Sequence, residues 1–594
     1  MALALLLGNL AQVRTIQTAW YRAGSPSLEE MPVVGALART LDGGVKVLSG
    51  TPAPMYPGDW FWTASRAIAA NEGEVQPITE FPYFTFLYGD LHAHMIAMPL
   101  QMLALGWAIG VVLAGERRRR RAGERGRRGE EEQGSGGEEE RGFALRGPHL
   151  ISLLVGALAI GVLRPTNTWD WPTYMLLGSL ALVYYFYRTE GPTWRAVGLA
   201  LFAIAALFGL SSLAFLPFTA RYGSAYASAS LWPGSYTGVV DYLFVHGLFL
   251  FLAATWLVIE YRNWAAWARE HWPEGGFRQL LTLAAGLTLA LIALALLRGY
   301  RAGLPALPVL VAAGLLVFRP NLPVGRRVVA ALISAAVGLT LVVEVLVLDG
   351  DVGRMNTVFK FYLQVWLMLS VACGAAAVWA WSTIRDAERV RGPWRAALGL
   401  LVFMAFLYPL LATPAKWNIR MNKEAPRTLD GAAFLPHVEY GDTDYAGNPV
   451  TIRPGNDLGA IEWLQRNVEG SPAIMEAFGG NPYRSIAARV AMYTGLPSVV
   501  GWDWHQRQQR AVAPDSIVTG RIADVNTFYN TPDTAVARNI LAKYGVEYVF
   551  VGTLENAYYR PEGLAKFDRM IAEGSLVEVF NDGMARILRV TNDE

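Results

Sequence analysis

Between residues 95 and 413 the chain is a succession of long apolar runs, and no other feature restricts its fold so strongly. Inside hydrocarbon every backbone amide must be satisfied within the segment, so such runs become helices, and about 20 residues make a crossing. Ten runs stand out: 95–114, 149–163, 172–187, 196–217, 242–259, 280–297, 304–318, 328–348, 362–381 and 396–413. The runs 149–163, 172–187 and 304–318 are short for a crossing and are expected to tilt, break or re-enter. Loop charge then sets the orientation. With the segment before residue 95 outside, the loops 115–148, 188–195, 260–279, 319–327 and 382–395 lie inside and hold 22 Arg or Lys. The outer loops hold only Arg164, Arg221, Arg298, Arg301, Arg354 and Lys360. This asymmetry predicts a multi-pass protein of the cell membrane whose carboxy-terminal tail is extracytoplasmic. Composition agrees, since 17% charged residues against 53% hydrophobic ones are too few to cover a soluble fold.

A formal charge of +2 supplies no basic field for nucleic acid, so no nucleic-acid partner is expected. The run Arg117 to Arg121, continued by Arg125, Arg127 and Arg128 and then by blocks of Glu, reads as a disordered cytoplasmic loop over 115–148. Its role is topology and contact with anionic membrane lipid. A single cysteine, Cys373, excludes a disulfide framework and any multi-cysteine metal site. The expected domains are a helix stub with an extracytoplasmic segment (1–94), a multi-span domain (95–413) and an extracytoplasmic α/β domain (414–594). In the tail, DLGAIEWLQRNV has helical spacing with Asn456 or Asp457 as cap, AIMEAF is a short strand, and ARNILAKYGVEYVFVG is a helix, a break and a buried strand. MALALLL, about seven apolar residues, reads as the end of a helix that begins elsewhere.

Three polar constellations interrupt the apolar pattern. Glu80, Asp90, His92 and His94 stand at the entry to the first run, in EFPYFTFLYGDLHAH. Polar groups at the lip of a span cost free energy unless they pair or bind. Asp90 with His92 and His94 therefore offers a carboxylate–imidazole site or a divalent-metal site, or else Asp90 is a helix cap beside hydrogen-bonded histidines. Asp-Leu-His-x-His resembles the metal string of polymerase-and-histidinol-phosphatase-type hydrolases, but on a helix positions 92 and 94 point about 200° apart. In LRPTNTWDWP, Arg164 and Asp170 either pair with each other or hold a phosphate and orient a hydroxyl or metal, beside Asn167. In GDVGRMNTVFKFYLQVW, Asn356, Lys360 and Gln364 recur on one helix face that should look into the bundle. Lys360 either pairs with Glu344 or joins Arg354 and Asn356 in binding an anionic lipid head group. The tail string GWDWHQRQQR suits a sugar ring or docking on the membrane, with docking preferred.

EFPYFTFLYGDLHAH, RPTNTWDWP, GRMNTVFKFYLQVW and KYGVEYVFVGTLE, in this order, resemble the prokaryotic YYY membrane proteins, from Gly8-Asn9-Leu10 over nearly the whole chain. The family's Tyr-Tyr-Tyr segment and its first spans have no counterpart here, which implies an upstream-encoded amino-terminal half as partner. The family's layout is similar to that of the C-fold glycosyltransferases, which use a polyprenyl-phosphate-linked sugar at the outer face.

The resemblance implies a membrane glycosyltransferase moving a sugar from such a donor to an acceptor outside. Glu80, Asp90, Asp170, His92 and His94 are the base or metal-ligand candidates. Arg164, Asn167, Arg354, Asn356 and Lys360 are the substrate-binding candidates, with a divalent metal as the one cofactor to consider. The alternative is a non-enzymatic membrane subunit or a lipid or polysaccharide transporter. The placement of the polar clusters at the rim, and not at mid-span, favours the enzyme.

Overall fold

A computed structural model describes residues 1–89, 91–131, 147–223, 228–479, 486–510 and 513–591. The chain divides into one unit made of Met1–Ala220 and Tyr226–Trp417, and another made of Arg221–Ala225 and Asn418–Glu594.

In the first unit a helix occupies every one of the ten apolar runs. They are α1 (Ala93–Glu131), α2 (Gly147–Gly161), α3 (Asp170–Glu190), α4 (Trp194–Ala214), α5 (Val239–His271), α6 (Gly276–Leu297), α7 (Gly303–Val317), α8 (Val324–Val345), α9 (Met355–Ile384) and α10 (Glu388–Arg420). Seven of these, α1, α4, α5, α6, α8, α9 and α10, are long and apolar enough to cross a membrane. Residues 150–166 and α7 are shorter apolar helices, whereas the third short run, 172–187, lies within the continuous 21-residue helix α3. The protein is thus a membrane protein with several apolar helices. α9 is its axis: Val358, Val365, Met368, Ala372, Cys373 and Ala376 are all sealed from solvent. α6 has no buried residue at all, as a helix with hydrocarbon for solvent requires.

Short connections make successive helices antiparallel, so the loops gather at two ends. At one end Arg188 pairs with Glu116 at 2.7 Å, and Glu260 takes both Arg319 at 2.9 Å and Arg326 at 2.8 Å. This is the arginine-rich end. At the other, polar end residues 1–89 meet the loop before α5, where Ser235 donates to Glu74, and the start of α9, where the Ile78 amide donates to the Met355 carbonyl at 3.3 Å. Two short strands found only in the structure, β1 (Ala229–Leu231) and β2 (Leu346–Leu348), pair antiparallel at this polar end. They end α8 three residues before the apolar run stops, because Leu346–Leu348 finds ladder partners in β1. A second departure is at residues 115–131, expected to be disordered, where α1 runs on through the arginine cluster to Glu131. A helix already nucleated in the apolar run extends at one hydrogen bond per residue, and Arg is a good helix former. Residues 132–146 of that loop lie outside the described residues.

The second unit is α/β, as its alternating pattern indicates. Strand β5 (Ala473–Met475) runs parallel to β6 (Val546–Val551); β6 is antiparallel to β8 (Arg586–Val590), which pairs with β7 (Leu576–Asn581). Two further strands, β3 (Tyr440–Thr443) and β4 (Pro449–Ile452), form a separate hairpin. Helices α11 (Leu458–Asn467), α12 (Asp515–Asn530) and α13 (Thr534–Tyr544) accompany the sheet. The expected Tyr-Gly break is real: Gly545 has φ +59° between α13 and β6. Asp457 does not cap α11. Its carboxylate accepts instead from the Thr553 amide at 2.8 Å and from Arg489. A buried guanidinium is a stronger donor than a helix amide, and Arg489 lies between Asp457 and Glu555, both sealed from solvent.

Candidate functional site

The site is built where α1, α3 and α9 meet at the polar end. His94, in the first turn of α1, packs edge-on against Phe359 of α9, with ring centroids 4.5 Å apart. Its Nε2 lies 3.4 Å from Thr85 Oγ1 and 3.9 Å from Glu80 Oε2. Glu80 Oε1 is 3.9 Å from Arg66, whose guanidinium stacks on Trp62 at 4.3 Å from the ring centroid. Glu80 and Arg66 keep only 13% and 14% of their side-chain exposure, so the pair is screened weakly, yet both still reach the surface. The helix Pro82–Tyr88, entered through Pro82 and closed by Gly89 at φ +65°, carries Thr85 and Tyr88 into the cluster. The Lys416 ammonium, one turn before the end of α10, sits 3.6 Å from the Tyr88 ring centroid.

One turn pair further along α1, at i+7 from His94, Gln101 faces Asp170 of α3. The Asp170 carboxylate is sealed from solvent and accepts from three side-chain amides. Gln101 and Asn167 (3.0 Å) donate to Oδ2, and Gln364 of α9 donates to Oδ1 at 2.8 Å. Asp170 thereby joins three helices through hydrogen bonds that a hydrocarbon interior makes costly to lose. Lys360, one turn before Gln364, is half-buried and lies within electrostatic reach of Asp170 and Asp351.

Other expected site residues are engaged elsewhere. Arg354 does not face an open site. It is 1% exposed and donates to Glu344 Oε1 at 2.8 Å, to the Val343 carbonyl at 3.2 Å and to Thr237 Oγ1 at 3.0 Å. The partner expected for Lys360 is therefore taken by Arg354. Asn356 donates to Asp351 Oδ1 at 3.1 Å, and Asp351 also accepts from the Asn356 and Thr357 amides, capping α9. Asn167 is used up by Asp170. Arg164 does not pair with Asp170; it stays half-exposed and lies 5.2 Å from the Trp171 ring centroid. His92 is exposed just before α1, its ring 5.6 Å from that of His94. Asp90 lies outside the described residues.

Among the described residues no three His, Cys, Asp or Glu side chains converge as a metal would need; Asp90, expected with His92 and His94 in a metal set, is not among them. Residues the sequence reading passed over are Arg66, Gln101 and Lys416. Gln101 and Lys416 had a usable signal, each being a lone polar residue in or at the end of an apolar run. In the tail string, Asp503–Gln509 forms a short helix, and Arg507 pairs with Asp515 at 2.8 Å.

A family model described as "Uncharacterized membrane protein (DUF2298)" matches residues 1–369. No curated protein matches the chain. Two solved structures of the archaeal oligosaccharyltransferase from Archaeoglobus fulgidus are among the similar ones. The complex with an inhibitory peptide and a dolichol-phosphate is 13% identical at a TM-score of 0.27, over 92% of this chain and 66% of that one. The complex with Zn and sulfate is 14% identical at 0.27, over 92% and 64%. The chain thus spans just under two thirds of their length, and likeness this slight carries no argument about fold or activity. The chain belongs to the DUF2298 membrane protein family.

Proposed function

We propose that this member of the DUF2298 family is a membrane glycosyltransferase that moves a sugar from a polyprenyl-phosphate-linked donor to an acceptor at the outer face. The observation that carries the reading is the Arg66–Glu80–His94 set at the mouth of the α1–α9 seam, where His94 packs on Phe359, the residue that precedes Lys360 in α9. It combines a base and two cations at the level where a lipid head group lies. By the positive-inside rule the arginine-rich end is cytoplasmic; the polar end, and the tail that follows α10, are then extracytoplasmic, with ten crossings. Residues 1–94 and 414–594 flank the spans on that outer side.

In the reaction, the bond between the sugar's anomeric carbon and the phosphate oxygen breaks, and the electron pair leaves with the polyprenyl phosphate. The acceptor hydroxyl oxygen bonds to the anomeric carbon, and its proton passes to Glu80, whose carboxylate His94 steadies. Arg66 and Lys360 neutralise the phosphate as its charge grows, the point at which a preorganised cation lowers the barrier most. Arg164, stacked on Trp171 and half-exposed, is a further contact for the head group. Arg354, Asn356, Asn167 and Asp170 support these groups without touching substrate.

The test is transfer of a labelled sugar from a polyprenyl phosphate to added acceptor in vesicles containing the protein. Unchanged transfer in Glu80→Gln and Lys360→Ala variants would remove both from the mechanism. Movement of the lipid across the vesicle membrane without sugar transfer would favour a transporter instead.

A further inference from the structure

Before the first span the chain folds back on itself as a hairpin of two helices, Gln12–Ala23 and Gly35–Leu48. The second helix is packed the wrong way round for a helix in water. Its contact face is glycine: a Cβ at Gly43 would come within 1.7 Å of the Trp20 carbonyl, and one at Gly44 within 2.9 Å of the Trp20 ring. Its long apolar side chains point outward instead. Leu37, Leu41, Val45 and Leu48 fall within about 80° of one another at 100° per residue. They are 61%, 57%, 65% and 78% exposed. The stripe continues into the tip of the hairpin, where Val34 and Met31 are exposed and Val33 is fully so. Val33 holds a φ of +66° in a tight turn closed by the Val34 amide on the Pro32 carbonyl at 2.7 Å and by the Gly35 amide on the Met31 carbonyl at 3.0 Å. The opposite face is polar and internally paired. Lys46 bonds Asp42 and Ser25 Oγ at 2.7 Å, and Arg39 bonds Glu29 and the Tyr21 carbonyl.

The hairpin is also fixed at a definite height. Arg14, on its first helix, pairs with Asp241 at 2.6 Å and lies over the Phe244 ring at 4.6 Å, both in the opening turns of span α5. The neighbouring Val240 and Leu243 on those turns are exposed, as residues facing lipid are. The apolar stripe is therefore held beside the point where a span leaves hydrocarbon. An amphipathic helix at that level satisfies its apolar face in the acyl boundary of the leaflet and its charges in the head-group layer.

We infer that the helical hairpin 12–48 is an in-plane membrane element, with Leu37, Leu41, Val45 and Leu48 set into the lipid of the leaflet at the polar end. The occupant of the face is lipid and not a second protein. The hairpin is tied through Arg14 to the opening turns of α5, where Val240 and Leu243 are exposed, and a tip of Met31, Val33 and Val34 can enter an acyl layer without a matching groove.

The experiment uses the full chain with Cys373→Ala, reconstituted in vesicles of phosphatidylethanolamine and phosphatidylglycerol. Single cysteines at 37, 41, 45 and 48, and at the exposed position 36 on another side of the helix, carry nitroxide labels. All five positions are exposed, and Gly43 and Gly44 are kept. Relaxation by oxygen, which concentrates in the acyl layer, is compared with relaxation by an aqueous nickel chelate. At 37, 41, 45 and 48 oxygen is expected to exceed nickel several-fold relative to the same ratio at 36. Nickel access at 41 and 45 equal to that at 36 overturns the inference. Exclusion of both reagents overturns it too, since a protein partner or a second copy then covers the face.

Discussion

Arg354 and Glu344, ten residues apart, meet at 2.8 Å inside the helical unit, each 1% exposed. They join the end of α8 to the start of α9, and Thr237 binds them to the entry of α5: its amide donates to Glu344 at 2.8 Å and its hydroxyl to Glu344 at 2.5 Å. A buried charge pair of this kind is conditional, strong while both partners are present and costly when one is left alone.

Arg354→Ala or Glu344→Ala is expected to destabilise the helical unit by about 3–5 kcal/mol, because each strands a buried charge. The double replacement Arg354→Met with Glu344→Leu should cost much less. Thermal unfolding of the detergent-solubilised protein reads the difference, and equal losses in single and double variants would contradict it.

Asp170 gives a second case. Asp170→Ala leaves the amides of Gln101 and Asn167 without this acceptor, at about 1–3 kcal/mol for each buried donor, while Gln364 keeps the Trp169 and Lys360 carbonyls at 3.2 Å. Asp170→Asn keeps one side-chain acceptor oxygen and should recover part of the loss. Gln364→Leu removes a single partner and should be the mildest of the three by the same unfolding measurement.

In the transfer assay, Glu80→Gln should lower the rate by about 10²–10⁴-fold, the usual contribution of a positioned general base. His94→Ala should lower it less, and Lys360→Ala should weaken transfer while leaving folding intact. Arg164→Ala should raise the donor concentration needed for half-maximal transfer, with little change in the maximal rate.

The second unit carries a pH signature of its own. Burial pushes the Glu476 carboxyl from 4.5 up to about 7, against the lowering influence of Arg489 and of the Val490 and Ala491 amides that it accepts from. A folded value above the unfolded one means that this contribution to stability is complete below about 4.5 and is lost as pH rises through about 7. Burial moves Lys566 the other way, from 10.5 down to about 7, so its contribution is complete above 10.5 and lost as pH falls through 7. Amide exchange at Val490 and Ala491 should therefore quicken between pH 5 and 7.5, beyond the intrinsic rise, and Glu476→Gln should remove that excess.

How far the site could be read from the sequence depended on the kind of signal. The Asn356–Lys360–Gln364 spacing correctly placed Gln364 on the inward face, because helical period is a local property. It did not separate Asn356, which helps cap α9 through Asp351, from Lys360, which stays half-buried. Nor could it tell that Glu344 would choose Arg354 over Lys360. Both cations lie within reach along the chain, and only the packing of α8 against α9 decides which guanidinium or ammonium arrives.

The sequence by itself determined where the apolar helices between residues 95 and 413 lie and the α/β nature of the tail, since each follows from periodicity and hydropathy along short windows. Its loop charges also supplied the orientation proposed for the spans, a count that needs no fold. Tertiary structure alone decided which polar residues share a site. Glu80 with Arg66, Gln101 with Asp170, and Arg14 with Asp241 are 14, 69 and 227 residues apart, and no local pattern encodes such pairs. The physical reason is that a polar group in an apolar interior takes whichever partner the packing of neighbouring helices brings within hydrogen-bond reach. The outward apolar face of Gly35–Leu48 has the same origin: it is the close approach of Gly43 to Trp20 that leaves Leu37, Leu41, Val45 and Leu48 on the outside.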